Sequence, residues 1–413
     1  MIMDVLKNLK AMSFFGIEDA ERRTFYYLCG FSFFLPLSKA AGNFFLVFSL
    51  LGMFHILFLK NYDAKLIFQE YRKIFATILI LLAAVFISAL TSTDVLYGVK
   101  KFLEKYLLHM SALLPVLFIS LNKKKFFTLI KLLLVGVFIS NFIVVAQGFL
   151  HFNEVWRFGG VLGVMPQGTL LAMSLPLYAV LIMHVKSNRL RNFFIVSAVV
   201  GFLALLFNGT RGVWLSMLIL IPAVVLIYAG KKFKSFIAVL AMLTIAGGIF
   251  IATPNLSERF STITNMQMQS NFERLLMWQS ALKIFEDNPI FGVGYGQYKF
   301  AYQNEYISPE AKERHQEHAH NNFLQMLAEC GIAGAGAFIF LWGYFSYFSL
   351  KIWFKDKNIA WLLFFCVLWG MMLHGLTEFN FETSVTGKIF WYSLGLCIVY
   401  SSAQKLNGGF NHF

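Results

Sequence analysis

Charge is scarce in this chain. Of its 413 residues only 14% are Asp, Glu, Lys or Arg, where a soluble domain carries about 25%. Hydrophobic residues make up 58% and the mean hydropathy is +0.66, so an ordinary soluble fold is excluded and a polytopic membrane protein is indicated. Strand-like alternation is lacking too. The apolar runs are long and continuous, which excludes barrel strands and leaves an all-α fold, because only helices and closed barrels satisfy the backbone in hydrocarbon. Cysteine is sparse: Cys29, Cys330, Cys366 and Cys397 show no CxxC spacing, so neither a disulfide frame nor a zinc site is indicated and small apolar packing is their reading. A basic domain is missing as well. The net charge of +14 is scattered in short clusters between apolar runs, which argues against nucleic acid as a partner and for topology signals facing anionic membrane lipids.

A span takes roughly 20 apolar residues, and about twelve are predicted: 24–38, 41–59, 74–90, 102–120, 126–150, 161–184, 193–207, 212–229, 235–253, 332–350, 359–376 and 386–402. The fourth opens on charged residues, and the sixth contains Pro166 and Pro176. Residues 1–23 read equally as an interfacial cytoplasmic helix or a basic tail, and Thr24 to Leu37 reads as an uncleaved first helix. Counting Lys and Arg in the short connections places 21 on one side and 7 on the other, so both termini are expected in the cytoplasm. The organisation is then 1–253 with nine spans, 254–331 as an extracytoplasmic loop domain, and 332–413 with three more spans.

The long polar interval has helical content of its own. Asn271 to Phe285 places Phe272, Leu275, Leu276, Trp278, Ala281 and Leu282 at helical spacing. Asp287-Asn288-Pro289 stops that helix, and a glycine-rich turn follows at Phe291 to Tyr298. A further helix is expected from Ala319 to Glu329, broken by Gly331.

Titratable groups gather where this interval meets the next span, in His315-Gln-Glu-His318-Ala-His320-Asn321-Asn322. Spacings of three and two do not make the i, i+4 pair of a helical metal site, so no metal is expected. A histidine can take a proton from a hydroxyl near neutral pH, and His320 is the first choice for that base, with His318 second. Arg211, in NGTRG between two spans, is either an interfacial anchor or an anion ligand suited to phosphate. Arg274 reads as a partner of Glu273, a solvated residue, or a cation awaiting an anion in the first turn of its helix. His374, Glu378 and Glu382 form a second outward group, either an interfacial hydrogen-bond cluster or one that binds sugar hydroxyls or orients His320.

Taken together, NGTRG, ERLLMWQSALKIFEDNPIFGVGYGQY and HAHNNFLQMLAECGIAGA resemble the O-antigen ligase and polymerase family of bacterial envelope glycosyltransferases, across Asn208 to Ala335. The resemblance implies an all-helical, GT-C-like membrane enzyme with a helical periplasmic cap, needing no cofactor, nucleotide sugar or essential metal. It implies undecaprenyl-diphosphate-linked O-antigen as donor and, for the ligase branch, lipid A core oligosaccharide as acceptor. By position Arg211, Arg274 and His320 correspond to the family's catalytic residues, with His318, Asn321, Asn322, Glu378 and His374 as candidate binding residues. A polymerase, a protein O-oligosaccharyltransferase and a flippase for lipid-linked glycans are the alternatives. The three catalytic candidates are expected to line one cavity open to both the lipid and the aqueous side.

Overall fold

A computed structural model describes residues 16–59, 65–151, 157–230 and 267–406, together with 237, 248, 258, 261–263 and 265. The chain is all-α and polytopic: among the described residues seven helices are long and apolar enough to cross a membrane. These are α2 (Lys39–Leu59), α4 (Arg72–Leu90), α8 (Lys123–Leu150), α9 (Val164–His184), α10 (Asn188–Asn208), α11 (Arg211–Ala229) and α14 (Asn322–Asp356). The others are α1 (Ile17–Phe34), α3 (Lys65–Glu70), α5 (Val95–Phe102), α6 (Leu108–Met110), α7 (Leu114–Leu117), α12 (Gln269–Asp287), α13 (Tyr298–Ala301), α15 (Ile359–His374) and α16 (Ser384–Leu406).

Several expectations need correcting. The fourth span is not one helix: α5 passes into a π-turn at Leu103–Leu107, then α6, a 3-10 turn at Ser111–Leu113, and α7. Charged Lys101, Glu104 and Lys105 fall at that change of register, and π-turns recur where side chains must be re-aimed. The first helix starts at Ile17, earlier than expected. Conversely, the sixth span is one helix from Val164 to His184 even though Pro176 lies inside it; Pro166 sits in the first turn, where its missing N–H has no helical acceptor anyway. The ninth span, residues 1–15 and the chain beyond 406 lie outside the described residues.

Capping residues begin the helices where short polar side chains interrupt apolar runs. The side chains of Asn122, Ser187, Asn321 and Asn358 accept from first-turn N–H groups of α8, α10, α14 and α15. α9 lies at the centre, packed on α10, α11 and α15. Gly370 of α15 lets the two backbones touch, since a Cβ there would overlap Ala172.

Helix direction alternates along the chain, so the starts of α9, α11 and α14 and the ends of α10 and α15 share one end of the bundle. That end carries the cap. α12 packs on the first turns of α14 around Met277, Ala281, Ile284, Tyr298, Tyr302, Ala319 and Ala328. The 289–294 loop locks onto the bend of α14 through Val293 N–H donating to Ala328 O (3.0 Å) and Ile332 N–H donating to Pro289 O (2.9 Å). At the bend Gly331 has φ +60°, in the left-handed region that favours glycine.

Candidate active site

At the end of α10, Asn208 is buried and donates to Phe158 O (3.0 Å) and Val164 O (2.9 Å), tying α10 to the start of α9. Gly209 then takes φ +62°, and the chain reverses so that Arg211 opens α11. This turn fixes where the guanidinium emerges. Its nitrogens donate to Thr262 O (2.7 Å), Thr262 Oγ1 (2.9 Å), Ser270 Oγ (2.9 Å) and Asn271 Oδ1 (2.8 Å). All are neutral acceptors, and among the described residues no carboxylate pairs with Arg211.

α12 begins at Gln269, which puts Arg274 in its second turn rather than the first. There it lies beyond the reach of the dipole at the helix start, which falls off within the first turn. The expected Glu273–Arg274 pairing is not found either: the buried Glu273 carboxylate accepts from the backbone N–H groups of Lys312 (2.9 Å) and Glu313 (3.4 Å). Arg274 instead faces Glu378, with Nη2 3.9 Å from Oε2.

His320 precedes the cap of α14, in a left-handed conformation at φ +49° that is uncommon outside glycine and is found at functional positions. Its Nδ1 lies 3.1 Å from each oxygen of Glu378. Asn321 and Asn322 explain why the contact holds. Asn321 Oδ1 accepts from Phe323 and Leu324 N–H while its amide donates to Leu376 O (3.0 Å). Asn322 exchanges two hydrogen bonds with Asn380 (2.8 and 3.0 Å), and its backbone N–H donates to Gly375 O (2.8 Å). The helix expected from Ala319 accordingly starts at Asn322. Both asparagines, read as substrate-binding candidates, have their amides engaged by the 375–380 loop and stand outside the cavity lining.

A cavity of about 310 Å³ brings Arg211, Arg274, His320 and His374 together, with Arg157, Thr210 and Thr377 on its wall. A smaller, more apolar hollow of about 160 Å³ shares Arg211 and Arg274 and continues along Leu215, Ile263, Leu275 and Trp278. Arg157 was counted among charges in connections but not as a site residue; the signal was a lone arginine where cations are few. It donates to Thr210 Oγ1 at 3.4 Å. Burial and the Arg274 charge push its pKa down, against an opposing pull from the Glu378 charge.

Burial would raise the Glu378 pKa, but the hydrogen bond and charge of His320, with His318 and His374 behind it, outweigh burial and bring it down to about 2. Burial, and the His320 charge beside it, lower His318 to about 4. At neutral pH His318 is therefore uncharged, and the His320 contact is what holds the Glu378 carboxyl low. An ionised Glu378 accepts the Nδ1 proton of His320 and leaves its Nε2 as the basic nitrogen.

His318 turns the other way. Its ring meets that of His320 edge-on at 4.3 Å, and it borders a second cavity with Glu382, where the Glu382 carboxylate accepts from Tyr295 OH (2.6 Å). His374 Nδ1 lies 2.9 Å from Thr169 Oγ1, and its buried Nε2 has no partner among the described residues. His318, His320 and Glu378 bring one ligand atom each within 4.8 Å of one another. Spacing alone would let them hold a cation, but Arg274 already faces that carboxylate and would repel one.

No curated protein matches the chain. Residues 196–339, which contain Arg211, Arg274 and His320, match the family model described as O-Antigen ligase. Over that stretch the chain is similar to the O-antigen ligase family, a similarity that supports glycosyltransferase activity of the ligase or polymerase type in general.

Proposed function

We propose that the protein is an O-antigen ligase that transfers O-antigen polysaccharide from undecaprenyl diphosphate to a sugar hydroxyl of lipid A core, at the periplasmic face of the bacterial inner membrane. One observation carries the reading: the guanidinium groups of Arg157, Arg211 and Arg274 border the same cavity as His320, whose Nδ1 is held by Glu378. The positive-inside count, which leaves this end of the bundle outside the cytoplasm, supports the compartment.

The donor diphosphate takes the arginine side, its polyprenyl chain leaving along Leu215, Leu275 and Trp278 toward lipid. Fixed cations stabilise the negative charge that gathers on the diphosphate as the sugar departs, the role a metal ion has elsewhere. His320 Nε2 takes the acceptor hydroxyl proton while the oxygen attacks the anomeric carbon. The bond to the diphosphate oxygen breaks and its electron pair leaves with the diphosphate, so a single displacement inverts the anomeric configuration. Glu378 holds the His320 tautomer and stabilises the imidazolium that forms.

The test is transfer by purified protein from undecaprenyl-diphosphate-linked O-antigen to lipid A core, with chelator present. Wild type should transfer, while well-folded His320→Ala and Arg211→Ala should not. A lengthened lipid-linked glycan would identify a polymerase, and a glycosylated protein an oligosaccharyltransferase. Transport without any product would identify a flippase.

A further inference from the structure

Beside the arginine cavity lies another of about 330 Å³, bordered by Lys39, Lys101, Lys105 and Lys299. The chemistry assigned to Arg211, Arg274 and His320 uses none of them. Lys299 is paired with Glu317 at 3.3 Å, but among the described residues neither Lys39 nor Lys105 forms an ion pair. Three carboxylates share the lining: Glu317 on Lys299, Glu329 accepting from Tyr298 N–H (3.1 Å) and Glu382 accepting from Tyr295 OH, so four ammonium groups face three carboxylates. The cavity thus presents an excess of ammonium groups, from residues far apart in sequence, toward one enclosed space.

Aromatic faces accompany the charge. Tyr97 carries Lys101 over its ring at 5.4 Å, and Phe379 packs on His318 with ring centroids 5.6 Å apart. Lysines beside half-buried rings at the cavity wall suit a phosphorylated sugar: the ammonium groups meet phosphate as point charges and the ring edges meet the apolar face of the pyranose. The wall shared with the arginine cavity is the His318–His320 ring contact, so a sugar seated here lies one imidazole from the proposed base.

Resting on the ligase reading, we propose that this lysine cavity is the acceptor subsite and recognises a phosphate group on the acceptor oligosaccharide. Two anion sites then divide the substrates: arginines take the donor diphosphate and lysines the acceptor phosphate, with His320 between them. Arginine suits the bidentate grip needed at the leaving group, and lysine the looser anchoring of an acceptor that must depart after each transfer.

The experiment is equilibrium binding, without donor, of the purified full-length protein in phosphatidylcholine nanodiscs to lipid A core and to the same material after phosphatase treatment. Wild type should bind the phosphorylated form at least about tenfold tighter, the scale of one lost charge-assisted contact. Lys101→Ala/Lys105→Ala should erase that preference, and Lys101→Arg/Lys105→Arg, as the folding control, should keep most of it. Equal binding of both acceptors by wild type, or a preference that survives the alanine pair, overturns the proposal. So does a preference abolished by replacing phosphatidylcholine with phosphatidylglycerol, which would mean that a lipid headgroup fills the cavity. Because binding is read without donor, a wild type that binds with this preference yet transfers nothing would count against the ligase reading alone.

Discussion

His320 Nδ1 sits 3.1 Å from both carboxylate oxygens of Glu378, across 58 residues of sequence. The contact fixes the histidine tautomer, and Glu378 is itself approached by Arg274. Glu378→Gln keeps the shape but removes the charge. It should lower kcat by about 10² to 10⁴, the range for losing a general base or its orienting carboxylate, with donor KM changed far less. Steady-state kinetics on protein of unchanged melting temperature checks this.

The same contact has a pH signature. A folded pKa near 2 lies below the unfolded value of about 4.3, so the ionised carboxylate contributes stability that is present above about pH 4.3. That contribution is lost as pH falls toward 2. Wild type should therefore melt higher than Glu378→Gln at pH 6, and the gap should close between pH 4.5 and 2.5. A gap constant across that window would mean that Glu378 is not held ionised by His320.

Arg211 has two tasks, holding residues 262–271 and presenting its charge to the cavity. Arg211→Lys should retain the charge and lose the fork of donors. We expect transfer to fall by about 10² or more for Lys and further for Ala, in line with the loss of a fixed charge-stabilising donor. Limited proteolysis at the Ser270–Asn271 contact should accelerate in both variants.

Asn322, a binding candidate by sequence, exchanges two hydrogen bonds with Asn380, and a role in the fold is predicted for it. Asn322→Ala leaves Asn380 without two hydrogen bonds in a buried setting, at a cost of about 1–3 kcal/mol for each unsatisfied group. A lowered melting temperature with substrate KM unchanged is the expected outcome. A raised KM at unchanged stability would return Asn322 to the binding site.

Gly331 is tested by alanine. Its φ of +60° disfavours a side chain, and a Cβ would overlap the backbone of Ile290. Gly331→Ala should destabilise by roughly 2 kcal/mol or more and loosen the cap from α14. Hydrogen exchange at Val293 and Ile332, whose N–H groups bridge the two segments, reads this directly.

Much of this protein was open to inspection in one dimension. Hydrocarbon admits only internally hydrogen-bonded backbone, so long apolar runs made helical spans compulsory, and the positions of α2, α4, α8, α10 and α11 followed within a few residues. Local chemistry also marked the break at Gly331, the end of α12 at Asp287 and the presence of Arg211, Arg274 and His320 at one membrane edge. The broken path from Val95 to Leu117 was hidden, because a π-turn has no compositional mark that separates it from an α-helix of the same apolar content.

What the sequence determined by itself was the solvent, the class and the candidate titratable groups, since these depend on composition and on neighbours within a few positions. Tertiary structure alone decided the pairings. Glu378 comes to His320, Arg157 joins the other arginines, and the Asn321 and Asn322 amides donate to the 375–380 loop. Each of these depends on which helix ends meet, and that is set by packing between residues tens to hundreds of positions apart, such as Gly370 against Ala172. Hydrophobic patterning says that a helix is buried; only close packing says against what.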